Sequence, residues 1–110
     1  MGLIKIVKYQ TIHGKCPFDE WRDDLDKPIR AIVRSRIARI ELGNFGDCKP
    51  IKGTNGLCEL RIDVGPGYRI YFGKKHSSLI ILLAGGDKGS QQRDIIKASK
   101  YWMECKDEQN

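Results

Sequence analysis

Four side chains able to handle a phosphodiester, Glu59, Arg61, Arg69 and Tyr71, stand in two neighbouring segments rich in β-branched and aromatic residues, 57–64 and 68–73. Successive side chains of an extended strand point to opposite faces, so Cys58, Leu60, Ile62 and Val64 share one face and Glu59, Arg61 and Asp63 the other. On the second segment Tyr68, Ile70 and Phe72 suit a core, which leaves Arg69 and Tyr71 on the polar side. Metal-free RNA cleavage needs groups of this kind. The 2′-hydroxyl gives up a proton as it attacks the adjacent phosphate, the 5′-oxygen takes one as it leaves, and fixed donors hold the charge of the phosphorane. Guanidinium groups fit the last task, because their fork matches phosphate oxygens and they stay charged. Glu59 is the candidate base, and Tyr71 or a lysine the candidate acid. The same residues also read as ordinary cross-strand ion pairs on a solvated sheet, each contributing little.

Other basic residues extend this face. Lys88, in Gly85-Gly86-Asp87-Lys88-Gly89, can present one phosphate-binding charge beside Arg69; the loop lacks the spacing of a nucleotide-binding loop, which excludes an ATPase of that type. Lys49 and Lys52, in a glycine-rich stretch, and Lys74 and Lys75, after the second strand, are candidate RNA contacts. Arg30, Arg34, Arg36 and Arg39 mark one helix as a basic surface or a merely solvated one. His13 and His76 have no serine or cysteine constellation attached. Cys16, Cys48, Cys58 and Cys105 lack metal-ligand spacing and read as reduced thiols, so neither a metal nor a cofactor is expected. Trp21 and Trp102 fall in apolar stripes and suit the core.

The elements that must position these groups follow from periodicity. Residues 3–8 form a first strand whose lysines suit a sheet edge. Pro17 opens a short helix with Phe18, Trp21 and Leu25 on one side. Asp26 caps a second helix with Pro28 in its first turn; Ile29, Ile32, Val33, Ile37 and Ile40 line it until Gly43. Residues 43–56 read as loop or short strand. Strands 57–64, 68–73 and 79–84 follow, the last apolar on both sides and therefore interior. Ser90 is the candidate cap of a last helix packed through Ile95, Ile96, Ser99, Trp102 and Met103, with 106–110 as a frayed tail. The order β-α-α-β-β-β-α predicts an α+β fold: a twisted, mainly antiparallel sheet with helices on one face and the other open.

At 110 residues the chain suits one domain, 1–110. Forty per cent hydrophobic and 31% charged residues favour a packed globule over a disordered chain. Twenty Lys and Arg against 14 Asp and Glu give a formal charge of +6, which favours polyanionic partners. No stretch reads as a signal peptide or bilayer span, so a cytoplasmic protein with no membrane partner is expected.

The runs 58–72 (Cys-Glu-Leu-Arg-Ile-Asp-Val-Gly-Pro-Gly-Tyr-Arg-Ile-Tyr-Phe) and 82–91 (Leu-Leu-Ala-Gly-Gly-Asp-Lys-Gly-Ser-Gln) resemble the phage-derived, HigB-like "addiction module killer protein" branch of the RelE/ParE toxin superfamily. Phe18, Trp21 and residues 43–47 are similar to it as well. The resemblance implies the toxin of a type II toxin–antitoxin module of the plasmid-stabilisation kind, masked by a helix-turn-helix antitoxin encoded in the neighbouring frame. It further implies an endoribonuclease acting on mRNA at the ribosome, in which Arg69 holds the scissile phosphate and Arg61 and Lys88 occupy basic positions. The acid or base that the best nucleases of the superfamily carry in the last helix is not matched. ParE-like relatives instead block DNA gyrase without chemistry.

Overall fold

Prolines in the first turns start both early helices, where a missing N–H removes no intrahelical hydrogen bond. The structure, a computed structural model, describes residues 3–107. Its elements are β1 (Lys5–Lys8), α1 (Pro17–Asp23), α2 (Lys27–Glu41), β2 (Cys48–Pro50), β3 (Leu57–Ile62), β4 (Tyr68–His76), β5 (Leu79–Asp87), a 3-10 turn (Lys88–Ser90) and α3 (Gln91–Asp107). The α+β class is as expected. The sheet runs β1-β5-β4-β3-β2, with β1 parallel to β5 and every other pair antiparallel. Lysine-bearing β1 lies at the edge, and apolar β5 has a neighbour on each side.

The helices do not gather on one face. Phe18 of α1 and Val33 and Ile40 of α2 bury Leu60, Ile62, Ile70, Phe72, Ile80 and Leu82. On the opposite face Ala98, Trp102 and Cys105 of α3 cover Leu57, Tyr71, Ile81 and Leu83. The face expected to be open is therefore covered by α3 over Leu57, Tyr71, Ile81 and Leu83, while Arg61 and Arg69 at its margin stay part-exposed. Periodicity hid this, because β5 is apolar on both sides and the polar face of β3 and β4 looks like a solvated one. Gly73 and Gly85 allow close approach of rings: a Cβ at either would overlap Trp102 or Trp21 respectively, so Trp102 lies in the core and the partly buried Trp21 packs against it.

Further differences are local. The 43–56 stretch contains a strand, β2, paired with β3. The final helical segment is capped by Asp87, whose carboxylate accepts the Ser90 N–H at 3.1 Å while the Ser90 hydroxyl accepts the Asp87 N–H, so Ser90 is not the cap. Ile96 and Met103 are 71% and 64% exposed and do not pack; Ala98 and Cys105 take their places beside Trp102. Helix α3 runs through Asp107, two residues into the stretch expected to fray, and 108–110 lie outside the described residues.

Candidate functional site

Strand register assembles the polar face as alternation implies. Glu59 lies opposite Tyr71 and Arg61 opposite Arg69 across β3 and β4. Lys49 of β2 faces Glu59 from the other side, and Arg69 faces Gly86 of β5. One row across the sheet thus carries Lys49, Glu59 and Tyr71, and the next carries Arg61, Arg69 and Gly86.

Two arginines directly opposite one another are an unfavourable sheet pair unless an anion relieves them. Arg61 has such a partner: its Nε donates to Glu59 Oε1 at 3.0 Å, and its side chain is 35% exposed, leaving much of the guanidinium facing solvent. Arg69 is half-buried, and its Nε is enclosed without a hydrogen-bond partner. The backbone N–H of Arg61 donates to the Asp47 carbonyl at 2.8 Å, which fixes the strand end next to this pair.

Glu59 is 3% exposed. Its second oxygen, Oε2, accepts from Gln91 Nε2 at 2.7 Å, so both oxygens are engaged: one by the strand, one by the start of α3. A carboxylate held this way orients Arg61 and anchors α3 rather than standing open to a substrate proton. Sequence reasoning missed Gln91, because a polar residue in a helical first turn has no periodic signal that assigns it to a strand across the fold.

Tyr71 is fully buried beneath α3, and its hydroxyl has no partner of hydrogen-bonding geometry. Burial first, then the negative charges of Glu59 and Asp94, push its phenol well above the usual range. It holds its proton and does not reach the surface. Asp94, also buried, accepts from the Ser90 hydroxyl. A Cβ at Gly86 would overlap the Asp94 carboxylate, so this strand position has to be glycine for α3 to seat.

Lys88 sits at the mouth of the site. Its N–H donates to the Gly67 carbonyl at 3.1 Å, pinning the loop after β5 to the β3–β4 turn, and its side chain is exposed. Beside it a shallow cleft of about 360 Å³ is lined by residues 88–93. Among the four expected RNA-contacting lysines, Lys49 is exposed on the row of Glu59, and Lys52 is exposed in the turn after β2. Lys74 lies apart from the arginines, its ammonium 4.4 Å from the centre of the Phe45 ring on the α1–α2 face. Lys75 donates to the Cys105 carbonyl at 3.2 Å, at the far end of α3. Tyr101, a tyrosine that α3 does contain, stacks on Tyr9 with ring centres 4.9 Å apart. Among the described residues, no three His, Cys, Asp or Glu side chains come together in a way that could hold a metal ion. No described helix is long and apolar enough to cross a membrane.

The arrangement thus sets Arg61 opposite Arg69, with exposed Lys88 near this row and buried Glu59 held between Arg61 and the half-buried Gln91. Comparison with known proteins covers this region. Residues 20–102 match the family described as "Phage derived protein Gp49-like (DUF891)". A Haemophilus influenzae protein, described only as an uncharacterized protein, is 45% identical over 82 residues, which make up 74% of this chain and 81% of that relative.

Proposed function

The chain belongs to the phage-derived Gp49-like family, a RelE-like toxin family whose members are typically paired with an antitoxin, and from that premise we propose that it is a toxin acting on RNA. The observation that carries this reading is the Arg61–Arg69 pair: two facing guanidinium groups, with Glu59 on one and an enclosed Nε without a partner on the other. A phosphodiester between them relieves their repulsion and gains charge-assisted hydrogen bonds.

In this reading the protein is a HigB-like, metal-independent endoribonuclease of the cytoplasm. Arg61 and Arg69 hold the scissile phosphate, so that attack by the 2′-hydroxyl builds charge where donors already wait. Lys88 stands where it can protonate the departing 5′-oxygen. Glu59 sets the Arg61 guanidinium, and Tyr71 supports the roof of the site without touching RNA. With no carboxylate open to the 2′-hydroxyl, in-line alignment carries more of the rate, which suits an mRNA strand already held by the ribosome. The antitoxin is a helix-turn-helix protein. A groove of about 740 Å³ between α1, α2 and the β1–β5 edge suits an acidic segment of it, having an apolar floor of Phe18, Val33 and Leu82 and a rim with Lys27, Arg30 and Arg34.

The test is expression of Arg69→Ala beside the parent, with folding confirmed by circular dichroism. Loss of growth arrest together with loss of transcript cleavage supports the reading; unchanged toxicity overturns it. The engaged Glu59 and enclosed Tyr71 favour one second reading, a non-enzymatic toxin that blocks DNA gyrase. Growth arrest with intact mRNA and inhibited supercoiling selects it.

A further inference from the structure

The site described above leaves unused a pair of thiols on the other face of the sheet. Cys48 of β2 lies opposite Leu60, and Cys58 of β3 lies opposite Pro50, which makes the two cysteines diagonal neighbours on the α1–α2 side. The two side chains influence one another across this diagonal, and the Cys58 thiol also donates to the Gly56 carbonyl at 3.8 Å. Neither is sealed in: both are half-buried at the margin of the core, beside the short edge strand β2. Cys58 also neighbours Lys74, which follows its partner Phe72 by two positions on β4 and so projects to the same face.

The two thiols are unequal. Donation from Cys48 and the nearby Lys74 ammonium bring the Cys58 thiol down to about 7 despite burial, whereas Cys48, the donor, is pushed far up. Cys16, by contrast, is pushed up, chiefly by burial. An accessible thiolate beside a lysine, with a second thiol in reach, is the arrangement of an oxidation-sensitive site with its resolving partner.

We propose that Cys58 and Cys48 form a peroxide-responsive dithiol. The Cys58 thiolate attacks one oxygen of hydrogen peroxide, breaking the O–O bond; sulfur is oxidised to a sulfenic acid, and the other oxygen leaves as hydroxide and takes a proton to become water. Cys48 then gives up its proton as its sulfur attacks the Cys58 sulfur, forming the S–S bond and releasing a second water. Two thiols and one peroxide thus yield one disulfide and two waters. The bond ties β2 to β3 next to Glu59 and the Asp47–Arg61 contact, so it shifts the frame that holds Arg61. The oxidation itself does not depend on the RNA reading.

The full chain, reduced and then freed of reductant, is treated with dilute hydrogen peroxide at pH 7, and its thiols and cross-links are followed by intact mass and peptide mapping. The expected product is a monomer with a Cys48–Cys58 link that dithiothreitol reverses, while Cys16 and Cys105 stay reduced. Cys48→Ser should stop at a Cys58 sulfenic acid trapped by dimedone, and Cys58→Ser should form no internal link. Alkylation of Cys58 by iodoacetamide should have a midpoint near pH 7 in the parent, moving up toward the ordinary value of about 8.5 in Cys48→Ser, which removes the largest cause, and by less in Lys74→Gln. A urea-unfolded sample, in which these neighbours are lost, should lose the preference for Cys58. Persistence of both thiols, a link mapped elsewhere, or equal labelling of all four cysteines in the folded protein overturns the proposal.

Discussion

Replacing Gln91 with alanine removes the donor that holds Glu59 Oε2 at 2.7 Å. Because Glu59 is 3% exposed, no water can take that donor's place without opening the seam between β3 and α3. An anionic oxygen left buried and unpaired costs more than the hydrogen bond was worth: roughly 2–3 kcal/mol, toward the upper end for a charged acceptor. For a domain of this size each kcal/mol corresponds to roughly 4–8 °C in melting temperature, so Gln91→Ala should melt about 10–20 °C below the parent. Far-ultraviolet circular dichroism at pH 7 reads this, and urea titration with an unchanged m value checks that only stability has moved. The second half of the cycle is sharper. In a Glu59→Leu background the carboxylate is gone and Arg61 can turn to solvent, so adding Gln91→Ala should cost little further. A coupling of about 1.5–2 kcal/mol between the two sites is expected. A fall of under about 3 °C for Gln91→Ala, or strict additivity in the double variant, would refute the claim that this bond pins α3 over the site.

Tyr71→Phe deletes an unpartnered buried hydroxyl, so at pH 7 it should be neutral or stabilising and leave toxicity intact; a loss of toxicity would restore Tyr71 to the chemistry. Because burial raises the Tyr71 phenol in the folded chain, its contribution is complete below the ordinary value of about 10 and is lost as pH climbs past that toward the raised value. Urea stability should therefore fall more steeply above pH 10 in the parent than in Tyr71→Phe. Gly73→Ala forces a methyl against the Trp102 ring and should destabilise by about 1–3 kcal/mol, measured in urea, while Gly89→Ala, where a Cβ meets only Asp87 Oδ1 at 3.3 Å, should cost much less. If Lys49, Arg61, Arg69 and Lys88 all meet phosphates, single-stranded RNA binding should weaken with salt at a log–log slope of about −3, and Arg69→Ala should make that slope shallower by about 0.7; an unchanged slope would remove Arg69 from the RNA path.

The row of Arg61 and Arg69 was legible in the sequence because period-two alternation alone assigns a face, and two short strands around Gly65-Pro66-Gly67 leave little freedom in register. Exposure was not legible. Alternation says that Glu59 and Tyr71 share that face, but whether a helix lies over it depends on the side from which α3 returns, and apolar β5 accepts a helix on either. The same ambiguity misplaced Ile96 and Met103: the stripe of α3 turns with the helix to present Ala98 and Cys105, small residues that weigh little in a hydrophobic pattern yet let the helix settle close to the sheet. The 43–56 stretch allows for a short strand but does not locate β2, because three residues between glycines carry no periodicity, and the face of Lys74 follows only from the full length of β4. Asp87 rather than Ser90 begins the final helical segment because one turn of 3-10 helix intervenes, a detail set by cap geometry.

The parallel pairing of β1 with β5 sets Lys5 beside Leu79 and Lys8 beside Leu82. A growing polypeptide must hold its first strand in reserve until most of the remainder has left the ribosome, since the segment it docks against is translated so late. Helix α3, which covers Tyr71 and Leu83 beside the arginine row, is translated later still. A chain built in this order gains its closing layer last, so the surface that carries Arg61 and Arg69 takes its final shape only when synthesis is nearly finished.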